Sequence, residues 1–390
     1  MAEPPLDLDE AQRRLLALVS PGPSEIVSLA KSLGHYLAAA PVARLSRPHA
    51  NLSAMDGFAT SGDGPWAVVG ESRCGSAFAE ALSAGQAVRI STGAEIPLGA
   101  DAIVIKEEAQ LSGDRLSATE LPQPGRYIRR AGEDFETGEE LLDAGRRMGA
   151  AQLSLCKAAG VDEVAVFKPP RIVVLECGDE LIAEPSRATN GDMLAAMFSG
   201  EHATVAVEPP LPDDLETISR ALASHRDADL IVISGGASVG DHDLVRPALA
   251  EIGATIDFWR VAMKPGKPLM VATRGSQLIL GLPGNPVSSF VTGFLFALPA
   301  VRAMAGASDP FPKVTMRPCA TALPANGKRR QFLRARTTAN GSVEPLENQD
   351  SAALHALARA DCLIDRPCDA GETKSGTPVP VYPLQNGGIA

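Results

Sequence analysis

The chain has 390 residues, of which 45% are apolar and 21% charged. That is enough for two to four packed domains and argues against disorder. Thirty-six basic residues against 47 acidic ones leave a net charge of −11. This balance excludes general affinity for nucleic acid or an anionic membrane, so any anionic ligand must be held by a local cluster of cations and N–H groups. The six cysteines (74, 156, 177, 319, 362 and 368) form no CxxC pair, which points to free thiols in a reducing compartment. The acidic start, MAEPPLDLDEAQRR, is unlike a signal peptide, and the most apolar later stretch, 287–301, is too short for a bilayer. A soluble, cytoplasmic protein is expected.

In chain order, Asp7 and Glu10 read as a capping box for a first helix with Leu8, Ala11, Leu15 and Val19 on its apolar stripe. A second helix is expected from Ser28, carrying Leu29, Leu33, Tyr36 and Leu37, until Pro41 stops it. Over 51–134 the pattern becomes short alternating runs between glycine turns, a mainly β unit inserted between an N-terminal helical region (1–50 and 135–168). Helical character returns at 151–160. A strand at 164–166 then leads to the linker Pro169-Pro170.

Residues 169–308 alternate strand and helix. Strands are expected at 171–176, 203–208, 229–234, 255–263 and 269–282, the last a hairpin across Arg274-Gly275-Ser276. Helices fit 191–200, 214–225, 244–252 and 287–301. This rhythm belongs to a doubly wound α/β domain with a mainly parallel sheet. Residues 309–390 form a small C-terminal β domain, with a turn at Asn340-Gly341. The fold class is therefore α/β plus β, in several domains.

In a doubly wound sheet, ligands bind at the carboxyl ends of the strands. The stretch DLIVISGGASVGDHD (229–243) runs from a buried strand into a glycine-rich turn, then to Asp241 and Asp243. Such a turn offers N–H groups to an anion, although the glycines alone also suit a tight turn and the acids a helix cap. Three further strand-end loops hold Glu180, Asp213, and Pro283-Gly284-Asn285, where Asn285 can cap the next helix. If Glu180, Asp213 and Asp243 converge, a hard cation such as Mg²⁺ would relieve their repulsion. Helix caps are the competing reading. RVAMKPGKP (260–268) places Arg260, Lys264 and Lys267 on a segment stiffened by two prolines, suited to an oxyanion clamp, though a solvated turn fits too. RRAGED (129–134) reads as a mixed-charge surface. The histidines stand isolated, without metal-ligand spacing, and no G-x-S-x-G elbow or Walker lysine occurs.

Seven motifs, in order, resemble the MoeA / gephyrin E-domain family of molybdopterin molybdenumtransferases. They are SAMDGFA (53–59), STGAEIPLGADAIVIKEE (91–108), RRAGEDF (129–135), GDEL (178–181), SGGASVGDHD (234–243), MKPGKP (263–268) and GLPGNPVSS (281–289). The resemblance covers nearly the whole chain. It implies an elongated homodimer of four-lobed subunits with a Mog-like α/β domain and a barrel-like C-terminal domain. The implied reaction inserts molybdenum from molybdate into adenylylated molybdopterin and releases AMP, with Mg²⁺ assisting. A Mog-type adenylyltransferase and cofactor-accepting enzymes are the implied protein partners.

By motif, Gly235, Gly236, Ser238 and Gly240 would hold pterin and phosphates, together with Pro283, Gly284 and Asn285. Glu180, Asp213 and Asp243 would hold the Mg²⁺, and Arg260 and Lys264 would join them in catalysis. Lys267, Pro268, Ser288, Arg334 and Ser351 would line the molybdate side. Asp56, Thr92 and Asp134 would reach across the dimer. The chain departs from the family pattern where Glu176-Cys177-Gly178 replaces Ser-Thr-Gly and Ala188-Thr189-Asn190-Gly191 replaces Asp-Thr-Asn-Arg. Arg260 replaces a lysine, and Asn51-Leu52 replaces Asp-Asn. The alternative to a transferase is a paralogue that binds molybdopterin without transferring metal. A nucleotide-cleaving hydrolase on the same α/β domain is disfavoured by the SAMDG and STGAEIP segments.

Overall fold

The structure is a computed structural model, and it describes residues 4–236 and 244–384. The apolar run of Leu230–Ser234 makes a strand buried along its whole length. It lies between Arg171–Glu176 and Gln277–Leu282, parallel to both. The sheet order is Thr204–Val207, Arg171–Glu176, Leu230–Ser234, Gln277–Leu282, Met270–Arg274, Thr255–Phe258. Only Met270–Arg274 runs against the rest, as the expected hairpin partner of Gln277–Leu282.

Alternate side chains of these strands enter two cores. Ile172, Val174, Leu230 and Val232 pack with Leu194 and Phe198 of the helix Asn190–Ser199. Val173, Leu175, Ile231 and Ile233 pack with Ile218 and Leu222 of the helix Leu215–Ser224, and with Val245 and Leu249 of the helix Val245–Glu251. Helices thus cover both faces, and each fully buried Leu or Ile contributes about 1.5–3 kcal/mol. From Arg171–Glu176 the chain goes first to a neighbour on one side and then to one on the other. The strand order therefore reverses between Arg171–Glu176 and Leu230–Ser234, where a doubly wound sheet opens its crevice.

The apolar helix after the sheet exceeds its expected 15 residues. It runs Pro286–Met304, 19 residues, and includes a π-helical turn at Gly293–Ala297. By length and composition it could cross a membrane, but 78% of its apolar window is buried inside the protein, where it forms the core of one sheet face. The first helix, Leu8–Ala17, packs on the same core through Leu8, Ala11 and Leu15. Asp7 caps it by accepting the N–H of Asp9, whereas Glu10 does not close a capping box and instead accepts from Arg13 and Arg14.

Two expected elements are overturned. The helix from Ser28 does not form. Ser24–Ser28 is a strand paired with Glu163–Phe167, only a 3₁₀ turn follows at Leu29–Lys31, and Leu33 is 58% exposed. The apolar spacing is helical, but β-branched Ile26 and Val27 precede it and the backbone of residues 36–38 bonds across to 146–147 and 165–167. The expected strand 255–263 stops at Phe258. Met263–Lys264 then pairs with Arg330–Gln331 in the C-terminal sheet.

That sheet runs Met263–Lys264, Arg330–Thr337, Cys362–Arg366, Pro378–Pro383, Thr315–Pro318, with Val343–Pro345 beside Arg330–Thr337. It carries a short helix, Leu354–Arg359, that the sequence reading did not include. Within 51–134 a separate six-stranded sheet forms around Gly57–Thr60 and Gln86–Ile90. The cysteines are all free thiols. The histidines are not all isolated: His35 and His202 meet with their Nε2 atoms 2.7 Å apart.

Candidate functional site

The reversal point of the α/β sheet opens into a cleft of about 230 Å³. Strand ends supply its walls. Glu176 ends the first strand and Cys177 and Gly178 follow it, Asp213 comes after the second, Ser234 ends the third with Gly235 and Gly236 after it, and Gly284 follows the hairpin. Glu180 enters from the short helix Asp179–Ala183, and Arg187 and Asn190 from the segment after it. Gly235 is required: its φ is +86°, and a Cβ there would collide with the carbonyl oxygen of Cys177.

Asp179 and Asp213 clasp two of these loops. The N–H of Asp213 donates to Asp179 Oδ1 at 3.0 Å, and the N–H of Asp179 donates to Asp213 Oδ2 at 3.3 Å. Glu180 and Asp213 therefore present carboxylates from fixed backbone to one cleft, the oxygen-only donor set that suits a divalent cation keeping most of its water. Asp243, with Ser238 and Gly240, lies outside the described residues. Among the described residues no three His, Cys, Asp or Glu side chains gather as a metal cluster. Cys177 does not act as a thiolate, because burial, with Asp213 and Glu176 adding repulsion, pushes its thiol up to about 12. Burial also raises Glu176, an effect that the N–H groups of Gly191 and Asn190 partly offset.

The cations lie along the same sheet edge. Met270 pairs with Gly281, so the loop bearing Lys264, Lys267 and Pro268 ends beside Pro283-Gly284. Both lysines are exposed, and both Lys–Pro bonds are cis. Arg260 stacks on Trp259, 4.0 Å from the ring centroid, and Arg246 lies 4.6 Å from the same ring. Such contacts favour a fixed guanidinium plane. Asn285 stands at the N-cap position but makes no side-chain cap. Its Nδ2 donates to Ser351 Oγ at 3.1 Å, while the N–H of Val287 donates to Ser351 O. Ser351 is thereby brought to the first turn of the helix that holds buried Ser288.

Arg334 is 1% exposed and forms no salt bridge among the described residues. Its Nη2 donates to the carbonyls of Asn348 at 2.9 Å and Asp350 at 3.1 Å, shaping the loop that presents Ser351. Its Nε is buried without a partner.

Asp56, Thr92 and Asp134 are not brought to this cleft. Thr92 donates to Asp56 Oδ1 through its N–H at 2.6 Å and its hydroxyl at 2.8 Å, and these bonds lower the Asp56 pKa. Asp134 borders a second cleft with Arg47, Pro48, Arg129 and Glu133. Sequence reasoning did not assign Glu176, Cys177, Arg187, Asn190 or Ser234 to the site. The signal for most of them was position, directly after a strand or at the start of the next helix.

A doubly wound domain with a carboxylate-and-glycine crevice, flanked by a β insert and a C-terminal β unit, is the frame of an α/β protein with its ligand site at the switch point. Family models match in the same order along the chain: the MoeA N-terminal region (domain I and II) over residues 6–160, a probable molybdopterin binding domain over 173–303, and the MoeA C-terminal region (domain IV) over 317–384. A molybdopterin molybdenumtransferase of Staphylococcus aureus is 31% identical, over 97% of this chain and 95% of its own. One from Haemophilus influenzae is 29% identical, over 98% and 99%. The crystal structure of a molybdopterin biosynthesis moeA protein from Pyrococcus horikoshii superposes with a TM-score of 0.84 at 24% identity, over 98% of this chain and 100% of that one. The chain belongs to the MoeA family of molybdopterin molybdenumtransferases.

Proposed function

We propose that this protein inserts molybdenum from molybdate into adenylylated molybdopterin and releases AMP. One observation carries the reading beyond family membership. The switch-point cleft, with Glu180 and Asp213, and the loop of Lys264 and Lys267 lie at the same edge of the sheet, which supports a ligand long enough to reach carboxylates at one end and cations at the other. Lys264 and Lys267, held by flanking prolines, bind the oxyanion, and Ser288 and Ser351 orient it. The turn at Gly235-Gly236 lets the phosphate-bearing part of the ligand approach the backbone. Glu180 and Asp213 would hold Mg²⁺, with Asp243 as the third acid. Held there, Mg²⁺ would supply charge neutralisation to the pyrophosphate link.

The reading includes a homodimer in the cytoplasm, in which Asp56, Thr92 and Asp134 of one subunit complete the cleft of the other. The test follows AMP release from purified protein with adenylylated molybdopterin, Mg²⁺ and molybdate. Release should require molybdate and should stop in Asp213→Asn. A ligand that binds but stays intact at every molybdate concentration would replace the transferase by a binding paralogue.

A further inference from the structure

Two of the stretches where the chain departs from the pattern it resembles, 176–178 and 188–191, meet in space. Glu176 is 4% exposed, and its carboxylate accepts the N–H of Asn190 at 3.2 Å and of Gly191 at 2.6 Å. These are the first two residues of the ten-residue helix Asn190–Ser199. A side chain at 191 is incompatible with this arrangement, since a Cβ there would lie 2.7 Å from both Glu176 Oε1 and Val207 Cγ1. The acid at 176 and the glycine at 191 are a matched pair.

The consequence falls on Asn190, which is 5% exposed and lines the cleft. Its Nδ2 donates to Ser234 Oγ at 2.9 Å and to the carbonyl of Gly284 at 2.8 Å. Both amide hydrogens are thereby used, which settles the orientation of the amide. Oδ1 is left buried with no partner among the described residues. A buried acceptor without a donor is rare in a native fold and calls for one.

We propose that Asn190 is a specificity-determining residue whose Oδ1 accepts an N–H of the ligand's aminopyrimidinone ring, and that Glu176 positions it by capping the helix over Gly191. The inference rests on the reading that this cleft takes molybdopterin. It goes further by naming the residue that distinguishes the pterin from other parts of the ligand. Asn190 also ties together the loops after three strands through Ser234, Gly284 and the Glu176 cap. Ligand recognition and loop spacing thus depend on one side chain.

The experiment measures anaerobic binding of metal-free molybdopterin to the full chain by titration calorimetry, with AMP as the control ligand. Asn190→Ala is expected to weaken molybdopterin about 10-fold or more and to leave AMP within about 2-fold, the scale of one lost hydrogen bond. Glu176→Gln retains one acceptor for the two N–H groups and should show a smaller, still selective loss of about 3-fold. It serves as the second variant if Asn190→Ala fails to fold by circular dichroism. Equal affinity in the folded variants, or equal losses for both ligands, overturns the inference and leaves the proposed function standing. No binding of molybdopterin to the unmodified protein overturns both.

Discussion

The α/β cleft and the inserted β unit both carry dense motif residues, and they arrange them in opposite ways. In the cleft, side chains from four strand ends meet within one chain, and the key groups are buried: Glu176 and Asn190 are almost wholly covered. In the insert, Asp56 and Thr92 bond to each other on an exposed turn, and Asp134 borders a separate shallow cleft. A motif satisfied by long-range partners within one chain is held in place before any assembly. A motif satisfied only by its own neighbourhood, on an open surface, needs a second surface to act on. The proposed dimer would bring that second surface to the insert.

The largest effect expected is on the cation side of the cleft. Lys267→Ala should lower molybdate-dependent AMP release by about 100-fold or more, the usual loss when one preorganised oxyanion donor goes, with the fold unchanged. Activity close to that of the unmodified protein would remove the clamp from the mechanism.

The comparison is sharpened by mixing. Asp56→Ala and Lys267→Ala should each be nearly inactive alone. Subunit exchange at equal ratio should restore about a quarter of full activity, because half of the dimers then hold one intact site of two. No recovery despite exchange would show that Asp56 acts within its own chain or not at all.

Next comes stability. Arg334→Ala strips a buried guanidinium from the carbonyls of Asn348 and Asp350 and should destabilise the chain by about 3 kcal/mol, read as a fall in Tm. An unchanged Tm would mean that the 348–351 loop holds its shape by other means.

The smallest effect is electrostatic. Burial raises the Glu176 pKa above the ordinary carboxylate value. Between those two values the folded chain binds more protons than the unfolded chain, so stability should fall as pH climbs through that window. Glu176→Gln should flatten this part of a Tm-against-pH curve. A curve unchanged by the substitution would mean that Glu176 stays ionised on folding.

Much of this was legible beforehand because it rests on local pattern. The run LIVIS had to be a strand buried on both faces, and the alternation after Pro170 had to be a doubly wound sheet. Doubly wound topology also placed Glu180, Asp213 and Gly284 on one edge before any coordinates. What failed was set by distant partners. The segment from Ser28 has helical spacing, but the strand before it pairs with Glu163–Phe167 and its own residues 36–38 bond to Ala165, Val166 and Phe167, more than 100 residues on. Asn285 has the residue type and place of a cap, yet its amide is taken by Ser351 from another domain. The Glu176–Gly191 match was visible only as two separate departures, because no local rule links a strand end to a helix start beyond an intervening loop.

The two-residue pairing of Met263–Lys264 with Arg330–Gln331 has a further consequence. The lysine-bearing loop is stitched at one end to the α/β hairpin and at the other to the C-terminal sheet, so it works like a hem joining two pieces of cloth. Shortening the gene after residue 312 would not yield a smaller version of the same catalyst. It would cut one seam and release Lys264 from its anchor, and the spacing between the two lysines would then depend on the loop alone. Swapping C-terminal units between relatives should for the same reason alter oxyanion affinity even when every residue lining the cleft is kept.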